Sequence, residues 1–116
     1  MENKNMWLAI CELGDYFSRF AGGNRPRNMS ESEIFLYVLC KTYQKIDPNF
    51  DILVYVDNEF LEAARPIINK VDYYIEQIDS QNDLKKELID AYYYYDSKLG
   101  FDKTSRWIEF KNILES

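Results

Sequence analysis

Ser30-Glu31-Ser32-Glu33-Ile34-Phe35-Leu36-Tyr37-Val38-Leu39-Cys40 is the stretch on which the fold class turns. Its second part, residues 34–40, is an unbroken run of apolar and aromatic residues that by itself suits a β-strand. Its first part is a helix start. Ser30 can accept from the Glu33 amide while the Glu33 carboxylate reaches back to the Ser30 amide, which is the capping box. Through the run and beyond it, Phe35, Val38, Leu39, Thr42, Tyr43 and Ile46 recur at three- and four-residue steps. The cap and the continuing period predict a helix over residues 31–45.

The helical reading extends in both directions. Upstream, Trp7, Ile10, Leu13, Phe17 and Phe20 share one helical face over residues 5–20, and the Gly22-Gly23 pair ends it. Residues 22–28 read as a loop carrying Arg25 and Arg27, with Arg19 one turn before it. The paired glycines lack the spacing and the Lys-Ser/Thr of a phosphate-binding loop. Downstream, Asp47-Pro48-Asn49 makes a turn. Residues 50–56 look β-like, but no second strand is visible to pair with them, so an irregular or short helical segment is expected near 48–56. Asp47, Asn49 and Asp51 imitate half a calcium loop. Ile52 and Asn58 stand where that loop needs glycine and glutamate.

Asp57 is placed to cap the next helix, which carries Pro66 and therefore either kinks at Arg65 or restarts. Ile67/Ile68, Val71, Tyr74/Ile75 and Ile78 form its stripe. After a turn at residues 80–82, Leu84, Leu88, Ala91/Tyr92, Tyr95 and Leu99 line one face of a helix that Gly100 stops. The short turn predicts that these two helices pack as an antiparallel pair. A last helix over residues 104–115, capped by Asp102 or Thr104, directs Trp107, Ile108, Phe110 and Ile113/Leu114 toward the bundle. The expected architecture is all-α, a bundle of about five helices forming one domain over residues 1–116.

Composition narrows the chemistry. The chain has no histidine and two cysteines, so the usual zinc sets and a histidine base are both missing. Carboxylate pairs occur at helical spacing, among them Glu59/Glu62, Asp72/Glu76, Asp79/Asp83 and Glu87/Asp90, and read as solvated helix faces. No catalytic residue, cofactor or metal is implied. Cys11 and Cys40, each within an apolar helical pattern, read as buried thiols in a reducing compartment, the cytosol. The longest apolar run, seven residues, is far short of the roughly 20 needed to cross a membrane.

Charge and aromatics point to a surface. Residues 1–46 hold six Lys/Arg against five Asp/Glu, a net of +1, whereas residues 47–116 hold eight against fifteen, a net of −7. The total of −6 repels nucleic acid and favours basic partners. The last helix is modestly basic, but it spends its aromatics on packing and makes a poor DNA-recognition element. Ten tyrosines are present, four of them consecutive at Tyr92–Tyr95. Successive helical residues are about 100° apart, so four cannot all face one core. Tyr92 and Tyr95 fall on the Leu88/Leu99 face, leaving Tyr93 and Tyr94 outward beside Asp90 and Asp96. Tyr73 lies off its own stripe beside Asp72 and Glu76.

Two readings stay open for these tyrosines. They form an acidic, aromatic recognition face on residues 72–96, or their hydroxyls simply reach solvent at the edge of a tyrosine-rich core. The first implies a non-catalytic binder that blocks a basic protein partner, the strategy of immunity proteins, antitoxins and phage inhibitors. The alternatives are an adaptor subunit of a larger assembly and a ligand-sensing helical domain.

Overall fold

The computed structural model describes residues 4–19, 30–79 and 83–116. Five α-helices run in the order α1 (Lys4–Arg19), α2 (Glu31–Tyr43), α3 (Asn58–Glu76), α4 (Leu84–Leu99) and α5 (Ser105–Glu115), with one 3-10 turn, Ile52–Val54, between α2 and α3. No strand occurs among the described residues. The loop expected at 22–28, with Arg25 and Arg27, and the turn expected at 80–82 lie outside the described residues, as does Phe20.

The capping box forms as the sequence predicts. The Glu33 amide donates to Ser30 Oγ at 3.3 Å, and the Ser30 amide donates to the Glu33 carboxylate at 3.4 Å. The strand-like run owes its character to the position of the helix. α2 is central, packed by α1, α3, α4, α5 and the 3-10 turn, and nine of its 13 residues are buried. A helix surrounded on all sides loses its polar stripe, and with it the period that would have announced it. The buried Thr42 hydroxyl is satisfied within the helix by donating to the Val38 carbonyl at 2.8 Å.

The β-like segment resolves into side-chain-capped turns. The Asn49 amide donates to Asp47 Oδ1 at 3.1 Å and the Leu53 amide to Asp51 Oδ1 at 3.0 Å. Phe50 is pinned between Tyr43 and Tyr55, with ring centroids 4.9 and 5.7 Å away. Phe50, Ile52, Tyr55 and Val56 thus serve packing rather than pairing, while Leu53 and Val54 stay exposed.

α3 is one continuous helix with Pro66 inside it. Pro66 is exposed, so the carbonyl it leaves without a donor can turn to water, while buried Phe60, Ala64, Val71 and Ile75 hold both halves against the core. Asp57 occupies the N-cap position of α3 but makes no capping bond, because its carboxylate is held by Arg106 of α5. For α5 the cap is Thr104, whose hydroxyl accepts from the Trp107 amide at 3.2 Å.

Several expectations need correction. α3 and α4 do not form the packed antiparallel pair that their short connection predicts: α3 packs on α1 and α2, and α4 on α2 and α5. Cys11 is exposed, and Cys40 alone is the buried thiol. Trp7 and Ile46 sit at the surface and not in the core. Ile108 is also exposed: α5 buries the narrow i, i+3, i+7 stripe of Trp107, Phe110 and Leu114, and Ile108 lies about 100° round from it.

Candidate functional site

The four tyrosines of α4 divide as helical geometry requires. Tyr92 and Tyr95 are buried. The Tyr92 ring stacks on Trp107 at 4.4 Å, and its hydroxyl donates to the Trp107 carbonyl at 2.8 Å. Tyr95 lies between Phe35 of α2 and Trp7 of α1, with centroids at 4.8 and 6.3 Å. Tyr93 and Tyr94 point outward, 42% and 39% exposed.

Each outward ring is braced from its own chain. The Tyr93 hydroxyl donates to the Glu115 carboxylate, and Lys111 Nζ stands 5.7 Å from the ring centroid. Both partners belong to α5. The bond to Glu115, more than any desolvation, pushes the Tyr93 hydroxyl pKa upward. Tyr94 has Lys98 Nζ 4.9 Å from its centroid and sets its edge against Tyr95 at 5.2 Å. Ile108, 54% exposed, shares a face of α5 with Lys111 and Glu115, the two residues that brace Tyr93. The outer faces of α4 and α5 therefore present two tyrosines and an isoleucine among charged side chains.

The acidic residues assigned to this face separate by role. Asp90 is exposed, with Lys86 Nζ at 3.4 Å, a surface pair of small energetic weight. Asp96 turns inward: it accepts from Trp107 Nε1 at 2.8 Å and from Lys103 Nζ at 3.1 Å. Asp72 also faces the bundle, accepting from the Tyr37 hydroxyl at 2.7 Å with Lys41 Nζ 4.0 Å away. Burial first, and the bond to Asp72 second, raise the Tyr37 pKa. Asp72 and Asp96 are thus fixed in structural contacts.

Tyr73 is 57% exposed, and Glu76 is exposed beside it, but both stand on α3. α3 packs on α1 and α2, and α4 on α2 and α5. The contacts that brace Tyr93 and Tyr94 come from α4 and α5, and Tyr73, whose ring meets Tyr74, takes no part in them. From α5 the structure brings Glu115 and Lys111 to Tyr93, with Ile108 one helical turn from Lys111. The sequence held one signal for Ile108, namely that a stripe through Trp107, Phe110 and Leu114 leaves it out.

Among the described residues, no group of three or more Cys, Asp or Glu is placed to hold a metal ion, and no helix is long and apolar enough to cross a membrane. The chain matches no protein-family model, and no curated protein or solved structure matches it.

Proposed function

We propose that this chain is a small, non-catalytic interaction protein that binds and masks a basic partner protein through the outer faces of α4 and α5. The observation that carries the reading is the outward pair Tyr93 and Tyr94, exposed on a chain of net charge −6. Tyrosine offers a large, stiff contact area with a polar tip, which is why it is enriched where interface energy concentrates. The bracing of Tyr93 by Glu115 and Lys111 limits the rotamer freedom that binding would otherwise remove. Asp90 and Glu115 at its edge are balanced by Lys86, Lys98 and Lys111, so the attraction to a basic surface comes from the chain's overall charge of −6, which speeds encounter.

A non-catalytic role fits the titratable groups. Tyr37, Cys40 and Tyr92 are all pushed up by burial, which leaves each neutral near pH 7 and none poised as a base. Two free thiols suit a reducing compartment, and on that basis we assign the encounter to the cytosol.

Salt dependence tests the electrostatic half of this reading. Affinity for the partner is expected to fall steadily as ionic strength rises, mainly through a slower on-rate. An affinity indifferent to salt would rule out an acidic masking surface.

A further inference from the structure

We propose that the connection between α2 and α3 docks a short basic segment of a partner protein, one that carries a large apolar side chain among its lysines or arginines. This surface shares no residue with the tyrosine face, and the inference does not rest on that reading.

The negative charge of the chain is concentrated here. Residues 47–62 hold Asp47, Asp51, Asp57, Glu59 and Glu62 and no Lys or Arg, a net of −5. Residues 63–116 hold ten Asp/Glu against eight Lys/Arg, a net of −2. Two of the five carboxylates meet cations of the chain: Arg106 holds Asp57, and Arg65 pairs with Glu62 at 2.5 Å. Asp47 and Asp51 do not. They accept from the backbone amides of Asn49 and Leu53, and among the described residues no lysine or arginine pairs with either. A neutral amide leaves the charge of a carboxylate in place, so both remain open to a cation from outside.

The same stretch exposes apolar side chains. Leu53 and Val54 are 50% and 57% exposed on the 3-10 turn that Asp51 caps. Next in the chain, Tyr55, Val56 and Asp57 line a groove of about 270 Å³, with buried Leu36, Val56 and Phe60 as its floor. That volume falls short of a drug-sized ligand and suits one inserted side chain, the usual anchor of a protein contact. At the rim, Glu33 and Asp57 against Arg106 sum to −1, the same sign as the connection.

The surface is also preformed. Phe50 stands between Tyr43 and Tyr55, its carbonyl accepts from Gln44 Nε2 at 3.0 Å, and the Tyr55 ring meets Phe110 at 5.6 Å. A partner therefore has little of this segment to order on docking. The apolar groove selects the anchor. The carboxylates select its flanks, since a basic residue is attracted there and an acidic one meets like charge.

The test is an amide NMR titration of the full chain with three end-blocked peptides, RKFKR, RKGKR and EEFEE. RKFKR is expected to give saturable shifts centred on residues 51–57 and on Phe60. RKGKR keeps the charge and lacks the anchor, and should bind about tenfold more weakly. EEFEE should not bind. Asp47→Asn/Asp51→Asn keeps both amide acceptors and removes two charges. It should weaken RKFKR about threefold or more while the spectrum stays that of a folded chain. Leu53→Ser/Val54→Ser, a change at two exposed side chains, should weaken it by a similar factor. No saturable shift from RKFKR at millimolar concentration would overturn the proposal. So would RKGKR or EEFEE binding as tightly, or an affinity unchanged in either double variant. Shifts centred instead on Tyr93 and Tyr94 would assign the peptide to the tyrosine face and overturn it too.

Discussion

The carboxylate of Asp96 accepts a hydrogen bond from the indole Nε1 of Trp107 at 2.8 Å, tying the outer edge of α4 to the buried face of α5. Trp107 has no solvent access. A donor buried there without an acceptor costs about 1–3 kcal/mol. Asp96→Ala should therefore lower the stability of the chain by about that much in urea unfolding. Asp96→Asn, which keeps an acceptor, should recover most of the loss. An Asp96→Ala protein as stable as the parent would return Asp96 to the solvated surface.

Lys45 holds a second join. Its ammonium, at the end of the turn after α2, donates to the carbonyls of Ile75, Glu76 and Ile78 at 3.0, 3.1 and 2.6 Å. Ile75 and Glu76 close α3, at the negative pole of its dipole, and Ile78 follows just beyond; the Ile75 carbonyl also accepts from the Ile78 amide at 3.1 Å. Lys45→Met keeps the aliphatic stem and removes all three bonds. A loss of about 1–3 kcal/mol is expected, with faster amide exchange confined to the last turn of α3. Uniform protection across α3 in the variant would show that the contact contributes nothing.

Alkaline stability should reflect the buried phenols and thiol. Burial raises Tyr37 and Tyr92 from an ordinary 10.0, and Cys40 from 9.0. The unfolded chain releases these protons first, so above those ordinary values it holds fewer protons than the folded chain. Stability is therefore complete at neutral pH. It declines above about pH 9 through Cys40 and above about pH 10 through the tyrosines, each group contributing roughly 1.4 kcal/mol per pH unit. Tyr37→Phe should flatten the limb above pH 10 by one group's share, measured by unfolding midpoints across pH. An unchanged slope would mean Tyr37 ionises freely in the folded chain.

Pro66 interrupts the hydrogen bonding of α3 at an exposed position. Proline in a helix interior is about 3 kcal/mol less favourable than alanine, partly offset because it also restricts the unfolded chain. Pro66→Ala should raise the melting temperature, corresponding to a gain of about 1–3 kcal/mol. A decrease would show that the ring itself packs usefully.

The local features of this fold were legible in the sequence, and the long-range ones were not. The capping box at Ser30 and Glu33, the buried stripe of α4 and the stop at Gly100 depend on residues within a few positions of one another. Helical phase alone also placed Tyr93 and Tyr94 outward and Tyr92 and Tyr95 inward. The roles of Asp72 and Asp96 depend on Tyr37 and Trp107, 35 and 11 residues away, and no spacing rule pairs them. The arrangement of α3 and α4 failed for a related reason. A short connection fixes which helix ends are near each other, but α1, remote in sequence, packs along α3 and reaches α4. Ile108 stands outside the core because Trp107, Phe110 and Leu114 set the buried phase of α5 without it.

If Tyr93 and Tyr94 anchor a basic partner, removing both rings should release it. The most direct measurement is affinity capture with the parent chain and a Tyr93→Ala/Tyr94→Ala double variant, run side by side, with unfolding of both followed by circular dichroism. Both side chains are largely outward, so the variant should unfold within about 1 kcal/mol of the parent. A basic protein retained by the parent is expected to be lost by the folded variant. The same protein retained equally by both would contradict the anchoring role.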